Sequence, residues 1–297
     1  MPSLKEIKGR IGSVKSTLKI TSAMKLVASA KLRKAQQAIE GMRPYERKLQ
    51  GMLEHLIASG ATVNGAYTRT PQVDEDGVPV RQRIAVVAFA SNSSLCGAFN
   101  ANAVRLTLEA VRSFGDAEIT VYSIGRKMAD AMRKAGYPSP ENFQKLADKP
   151  AYAPAADLAD RLAEDFLENR LDRIELVYNH FVSSGKQVPV RETLLPMGAV
   201  IPSGAEGGAK ESDLDYILEP SASELLEDLL PKSLKLKFYT ALLDSNASEH
   251  AARTVAMQTA TDNGEDLLQE LTLQYNKSRQ QKITSEILDL AGGSQQQ

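Results

Sequence analysis

The sequence predicts an α/β protein in which long N- and C-terminal helices form an antiparallel coiled coil that carries an inserted, open and largely parallel α/β domain. Two observations lead to this prediction. Strong helix formers fill both ends of the chain, and strand and helix patterns alternate between them. We place the N-terminal coiled-coil helix at 1–60, the inserted domain at 70–205 and the C-terminal coiled-coil helix at 214–292.

The N-terminal helix is predicted over residues 3–58 by a heptad pattern. Its positions follow alternating steps of three and four, the spacing of a coiled-coil seam. They are Leu4, Ile7, Ile11, Val14, Leu18, Thr21, Lys25, Ala28, Leu32, Ala35, Ile39 and Met42. Thr21 and Lys25 interrupt the apolar track beside an alanine-rich segment, where two helix backbones can approach closely. Pro44 lacks a backbone donor, so we expect a bend near residues 41–44.

The inserted domain is predicted by alternating strand and helix patterns. The apolar run at 83–90 is typical of a strand covered on both faces. Further strands are predicted at 117–125, 172–183 and 185–196, and helices at 98–114, 126–135 and 155–171. This order predicts an open, Rossmann-like sheet with right-handed crossovers. The polar segments 60–82 and 203–213 are its connections to the terminal helices.

The C-terminal stretch reads as one helix from Leu234 to Ala291. Its candidate inward positions drift around the helix, and they are Leu234, Phe238, Leu242, Val255, Leu267, Leu271 and Leu288. Residues 276–282 include no apolar side chain, which argues against close coiled-coil packing there. Arg279 and Gln280 in this stretch instead offer directional hydrogen bonds to a surrounding protein surface.

The net charge of −1 conceals two regions of opposite sign. Residues 1–39 contain nine Lys or Arg and only Glu6 as an acid, whereas residues 205–230 contain eight Asp or Glu and only Lys210 as a base. The cations are Lys5, Lys8, Arg10, Lys15, Lys19, Lys25, Lys31, Arg33 and Lys34. Such a basic arm suits an acidic protein or nucleic acid. No aromatic side chain for base stacking precedes Tyr45, which favours the protein.

Catalytic and cofactor sites are not indicated. One cysteine and three scattered histidines argue against a metal site. The turn after Phe89 contains only Gly97 of a dinucleotide fingerprint, and the chain has no Walker motif. We expect Ser or Asn in this turn to cap the next helix, and Cys96 to be a buried residue rather than a nucleophile. A triad of Ser91, His180 and Asp116 would lack the usual nucleophile elbow.

No apolar run of 18 residues or signal-type segment is visible, so we expect a soluble chain from a reducing compartment. Membrane association would then depend on partners. Neither a cofactor nor a metal is expected.

Four segments carry a family resemblance. They are ITSAMKLVASAKLRKAQ at 20–36, RPYE at 43–46, SLCGAFN at 94–100 and ASEHAARTVAMQTATDNGEDLLQELTLQYNKSRQQKIT at 247–284. Together they resemble the gamma subunit of F-type ATP synthases. The resemblance implies a non-catalytic rotor, the central stalk, whose coiled coil turns inside a ring of alternating alpha and beta subunits and couples proton flow to ATP synthesis. It further implies an epsilon subunit and a membrane c-ring as partners, no nucleic acid, and a peripheral location on the cytoplasmic face of a bacterial inner membrane.

The resemblance also implies which residues contact partners. Met24 and Lys25 are similar to shaft residues that pass the acidic lever of the beta subunit, and Arg253 to a shaft arginine facing beta. Arg279, Gln280 and Thr284 resemble a cluster that engages a beta-subunit loop. Tyr216 and Glu219 resemble the foot near the c-ring and epsilon. The sequence departs from the family's pattern at two places. The family's turn commonly reads D-R-G-L-C-G, whereas here Asn92, Ser93 and Ser94 stand in place of its first three residues. Lys25 stands where the family often has an acid.

Two other classes of function remain open from the residues alone. One is an α/β nucleotide-binding enzyme with helical extensions, and the other is a helical nucleic-acid-binding protein. Tight nucleotide binding would favour the first, and a steeply salt-dependent affinity for duplex would favour the second.

Overall fold

The computed structural model describes residues 3–58, 67–69, 82–197, 218–219 and 221–293. In these residues ten elements follow one another: α1 Leu4–Ala58, β1 Arg83–Phe89, α2 Phe99–Ser113, β2 Glu118–Ile124, α3 Arg126–Lys134, α4 Gln144–Asp148, α5 Tyr152–Leu167, β3 Arg173–Ser183, β4 Lys186–Leu195 and α6 Ala222–Gly293. All the predicted strands and helices are present, and only the short α4 was missed. The α1 helix runs through Pro44 without ending.

The C-terminal helix begins earlier than predicted, at Ala222 rather than Leu234, and it includes Pro231. A capping box explains this start. The backbone N–H of Glu224 donates to the Ser221 hydroxyl at 3.2 Å, and that hydroxyl lies 3.1 Å from the Glu224 carboxylate. The S-x-x-E spacing of Ser221 and Glu224 therefore indicates this earlier helix start in the sequence.

The chain forms two compact units. The first consists of the described residues within Met1–Ala30 and Arg253–Gln297, and the second of those within Lys31–Ala252. The division of the chain into three parts, 1–60, 70–205 and 214–292, stays a prediction.

The first unit is an antiparallel helix pair. The hydroxyls of Thr21 and Thr261 are hydrogen-bonded at 2.9 Å, and a Cβ added at Gly264 would lie 2.7 Å from Leu18 Cδ2. Residue numbers therefore fall along α6 as they rise along α1. The predicted α1 seam is confirmed, because all its positions are buried or half-buried. The facing seam of α6 follows the same steps of three and four: Met257, Thr261, Gly264, Leu268, Leu271, Tyr275 and Ser278.

Three of the predicted inward positions of the C-terminal helix are wrong. Val255, Leu267 and Leu288 are exposed, whereas Leu271 is buried as expected. Val255 and Leu267 lie beside the α6 seam, which uses small residues at Thr261 and Gly264 where the helices meet closely. Leu288 is exposed because it lies beyond Ser278, the residue level with the first residue of α1.

The second unit contains a four-stranded sheet in the order β2-β1-β3-β4. β1 is parallel to both β2 and β3, and β4 returns antiparallel to β3 as a hairpin. Helices α2 and α3 cover one face of the sheet, while α5 and part of α6 cover the other. With β1 buried on both faces, the predicted largely parallel α/β sheet is confirmed.

Within this unit α6 contacts both the sheet and α1. Leu234, Phe238 and Leu242 are buried as predicted, but they belong to the core of the sheet and not to the seam with α1. The α1 residues Leu32, Ala35 and Ile39 instead share a cluster with α6 residues Leu243, Ala247 and Ala251. Because two faces of α6 are covered here, its apolar pattern widens, and this explains the drift seen in the sequence.

Polar side chains of α6 fasten it to the sheet. Asp244 accepts a hydrogen bond from the Phe181 backbone N–H at 2.8 Å and also pairs with the His180 ring. The Ser248 hydroxyl donates to the Asn179 carbonyl at 2.8 Å. These bonds satisfy polar groups that burial would otherwise leave without water.

Candidate functional site: the exposed helix surfaces

The place where open α/β sheets bind ligands, at the carboxyl ends of their parallel strands, is filled here by the chain itself. The ends of β1 and β2 at Phe89 and Ile124 face α6, and Asn246 of α6 donates a hydrogen bond to the Ala147 carbonyl at 3.3 Å. A cavity of only about 10 Å³ remains between them. That volume suits about one water molecule and no nucleotide. This geometry argues against the nucleotide-binding alternative.

The turn after β1 is held by Asn92, which joins three segments. Its side-chain oxygen accepts a hydrogen bond from the Arg126 N–H at 2.9 Å, and its amide donates to the Gln144 carbonyl at 2.8 Å. The expected capping of α2 by this turn is wrong, since Ala98 occupies that cap without a side-chain bond. Asn92 caps α3 instead, because the parallel arrangement brings the start of α3 beside this turn.

Cys96 is buried, as predicted, and surrounded by polar groups of its own turn. The Asn100 amide donates to its sulfur at 3.1 Å, and the Ser91 hydroxyl lies 3.8 Å away. Neither of these two neighbours is a base. We therefore expect Cys96→Ala to leave the activity of the protein within about twofold of wild type while lowering its stability by ~1 kcal/mol.

The imagined triad is not assembled. Ser91 is bonded to Asn100, His180 is paired with Asp244, and Asp116 is an exposed residue of the turn after α2. Among the residues that the structure describes, no group of three or more His, Cys, Asp or Glu side chains could hold a metal ion. In that same part of the chain, no helix has the length and apolar character needed to cross a membrane.

The α6 helix continues beyond the start of α1. Leu18 lies beside Gly264 and Thr21 beside Thr261, so Leu4, the first residue of α1, is level with Ser278. All side chains from Arg279 to Leu288 are exposed. Residues 276–282, which contain no apolar side chain, thus begin at about the level of the first residue of α1. Arg279, Gln280 and Thr284 all lie in this single-helix extension, and the Thr284 hydroxyl donates back to the Gln280 carbonyl at 2.9 Å.

A second surface surrounds Met24 and Lys25, which are half-buried in the helix pair. The apolar side chains of Ile20, Leu26 and Val27 are exposed around them, Leu26 by 70 %. Sequence reasoning missed these three residues, although their apolar character off the heptad seam was a usable signal. Lys25 lies level with Met257 of α6. At 1.5 Å per residue, Met257 is roughly 35 Å along the helix from Gln280. The surface around Met24 and Lys25 and the single-helix extension are therefore separate surfaces of the same unit.

The basic arm, residues 1–39, contains nine cations. Within the described ranges, none of its nine cations forms an ion pair with a carboxylate of this chain. Eight of them are exposed, and Lys25 is half-buried. The positive field of α1 is thus available to an acidic partner.

The other residues that were predicted to contact partners differ in their exposure. Arg253 is only 8 % exposed, so most of its side chain contacts this chain. Glu219 is exposed, and Tyr216 lies outside the described residues. Their roles as partner contacts stay predictions.

One exposed surface was not predicted at all. Leu95 adopts φ of 67°, a conformation that is strained for leucine, and is 60 % exposed. The contacts of Asn92 bring this turn beside the starts of α3 and α4, where Arg126, Lys127 and Lys145 stand. Leu95 is thus an exposed apolar residue in a turn whose Asn92 contacts the starts of α3 and α4.

Exposed apolar and basic surfaces along the helices are typical of the class of subunits that bind other proteins. Comparisons with known proteins identify the family of this chain. The sequence model of the ATP synthase family matches residues 3–295. An ATP synthase gamma chain of Bacteroides thetaiotaomicron is 50 % identical, covering 100 % of both chains, and one of Bacteroides fragilis is 52 % identical, covering 99 % of each. The chain belongs to the ATP synthase gamma-chain family.

Solved structures share the fold. The central stalk of the Tetrahymena thermophila mitochondrial ATP synthase, determined with its c-ring, aligns with a TM-score of 0.55 at 22 % identity, covering 81 % of this chain and 99 % of that one. The rotor of the Euglena gracilis enzyme aligns with a TM-score of 0.60 at 19 % identity, covering 94 % and 98 %. The predicted combination of long terminal helices and an inserted sheet is confirmed.

Proposed function

We propose that the chain is the central-stalk rotor of a bacterial F-type ATP synthase. As a gamma chain it is a subunit of the complex other than the catalytic one. Proton flow turns the membrane ring, the foot of the stalk turns with it, and the helix pair presents a different side to each catalytic subunit in turn. The work is a shift in population among catalytic-subunit conformations, driven by differential contacts.

The observation that carries this proposal is the single-helix extension of α6. All side chains from Arg279 to Leu288 are exposed, and the described part of α1 does not extend to that level. Isolated helices of this length are only marginally stable in water. A surrounding ring of subunits would supply the missing contacts, with Arg279 and Gln280 as hydrogen-bonding groups.

Charge supports the choice of partners. The unpaired cations of α1 suit an acidic lever on the beta subunits, with Met24 and Lys25 at the point of contact. Exposed Leu95 suits a second contact, with an apolar residue of a partner. Glu219, Tyr216 and the acidic run before α6 belong to the foot, where epsilon and the c-ring would bind. This assembly would place the chain at the cytoplasmic face of the inner membrane, held there by its partners.

Affinity purification of the tagged chain from its native membranes tests the proposal. Recovery of alpha, beta and epsilon subunits, with ATPase activity and filament rotation in a single-molecule assay, is the expected result. A chain recovered alone or with nucleic acid would contradict it.

The lever contact predicts the effect of Met24→Lys. The substitution replaces an apolar side chain next to half-buried Lys25 by a cation and raises the positive charge at the proposed lever contact, so we expect severalfold slower ATP synthesis with normal assembly. Synthesis driven by an imposed proton gradient, divided by the ATPase rate, is the measurement. Ser13→Lys, which adds the same charge at an exposed position of α1, is the control. Equal ratios in the two variants would refute this placement of the lever.

A further inference from the structure

The part of α1 that belongs to the second unit has a second row of residues at heptad spacing. The buried seam passes through Leu32, Ala35 and Ile39, which share a cluster with α6. The second row begins one residue before Leu32 and follows the same alternating steps of three and four. Successive residues of an α-helix are about 100° apart, so the two rows lie on different sides of α1. We call the second row the outer stripe, and it consists of Lys31, Lys34, Ala38, Gly41, Tyr45, Lys48 and Met52.

The outer stripe is open to solvent along its length. Ala38 is half-buried, and every other member of the stripe is exposed. Tyr45 and Met52, its two large apolar side chains, are 54 % and 56 % exposed. Single exposed apolar residues are common on protein surfaces, whereas these two stand one heptad apart on the same side of one helix. They form an apolar line that the core of this chain does not use.

Gly41 adds a steric observation to the same stripe. A Cβ built on Gly41 would have no heavy atom within 4 Å, so packing inside the chain does not require a glycine at this position. A glycine in the interior of a helix costs about 1 kcal/mol relative to alanine. Glycine is useful where another backbone or a ligand must approach closely. The missing side chain therefore suits a partner that lies directly against α1 at Gly41.

The charges of the outer stripe have one sign. Lys31, Lys34 and Lys48 are exposed, and the stripe includes no acid. In the part of the chain that the structure describes, none of these three lysines forms an ion pair with a carboxylate. The acids of α1 along this length stand at other heptad positions, and they are Glu40, Glu46 and Glu54. The stripe thus presents a row of cations that is complementary to an acidic partner.

We propose that the outer stripe of α1 binds an acidic α-helix of another protein. Heptad spacing fits the side of a second helix, whose apolar residues contact Tyr45 and Met52 and whose backbone approaches Gly41. Its carboxylates pair with the three lysines, and this fixes its position along the stripe. At 1.5 Å per residue the stripe is roughly 32 Å long, enough for about six helical turns. The inference concerns residues 31–52 and does not depend on the assignment of the chain as a rotor.

Photo-crosslinking of the full-length chain in its native membranes tests the proposal. The probe is p-benzoylphenylalanine in place of Tyr45 or, separately, of Met52, and mass spectrometry identifies the joined peptide. We expect both probes to join one segment of another protein, with more Asp and Glu than Lys and Arg. The same probe in place of Glu54, which is exposed at another heptad position, should not join that segment. Products with nucleic acid, lipid, a segment without this acidic surplus or only this chain, or no product, would overturn the proposal.

Two neighbouring cations separate the outer stripe from general charge effects. Lys48 and Arg47 are both exposed, but only Lys48 belongs to the stripe. Lys48→Glu should lower the yield of the product formed by the probe at position 45 about tenfold, as for the loss of one charge-assisted contact. Arg47→Glu makes the same change of charge and should leave that yield within about twofold. An equal loss in both variants, or an unchanged yield in Lys48→Glu, would refute the stripe. Thermal unfolding of each variant confirms that it is folded.

Discussion

Replacing Arg279 or Gln280 by alanine is expected to lower the rate of ATP synthesis about tenfold in a complex that assembles normally. Both side chains are exposed on the part of α6 that extends beyond the first residue of α1. Neither substitution removes a contact from the helix pair, so the stability of the isolated chain should change by less than ~0.5 kcal/mol. One charge-assisted hydrogen bond contributes about 1.5–3 kcal/mol, and 1.4 kcal/mol corresponds to a factor of ten.

The measurement is ATP synthesis by inverted membrane vesicles at a fixed proton gradient, together with the ATPase rate of the same vesicles. Gln269→Ala is the matched control, since Gln269 is also an exposed glutamine of α6 but lies level with α1. We expect its synthesis rate to equal that of wild type. Wild-type synthesis and hydrolysis in both Arg279→Ala and Gln280→Ala would exclude these side chains from any partner contact.

A Gly264→Leu substitution is expected to destabilise the helix pair of the first unit. Even a Cβ at this position would lie 2.7 Å from Leu18 Cδ2, so the larger side chain must separate the helices or displace Leu18. Overpacking of this kind costs roughly 1–3 kcal/mol. The higher helix propensity of leucine returns just under ~1 kcal/mol. A net loss of up to about 2 kcal/mol is expected, measured by urea unfolding of the full-length chain.

Gly12→Leu provides the control for helix propensity. Gly12 is an exposed residue of α1, and no atom lies within 4 Å of a Cβ built on it. The same substitution there should stabilise the chain by roughly 0.5–1 kcal/mol. Adding Leu18→Ala to Gly264→Leu should recover part of the lost stability, because the smaller side chain makes room for the larger one. Destabilisation by Gly12→Leu equal to that by Gly264→Leu would refute the close approach of the helices.

The elements of the inserted domain could be read from the sequence because their patterns are local. A buried run such as 83–90, followed by a polar turn and an amphipathic helix, depends only on neighbouring residues. The α1 seam was also predictable, since every third or fourth residue from Leu4 to Met42 kept the same face. The capping box at Ser221 and Glu224 was equally local and would have corrected the start of α6.

The partners of α6 were not predictable from local pattern. This helix meets α1 through small residues such as Gly264 and Thr261, and it meets the sheet through Phe238 and Asp244. Which face serves which neighbour depends on how the neighbours are placed, and that information is spread along the whole chain. Val255, Leu267 and Leu288 were misassigned for this reason.

The sequence by itself determined the family, the order of elements, the helix pairing and the polarity of residues 276–282. Only the tertiary structure showed that α6 blocks the carboxyl ends of β1 and β2, that Arg279 and Gln280 lie beyond the first residue of α1, and that Leu95 is exposed. Each of these facts depends on the relative position of segments that are distant in sequence. Helix propensity and hydrophobic period act within a few residues of each other, whereas the surfaces of this chain result from the packing of its two ends.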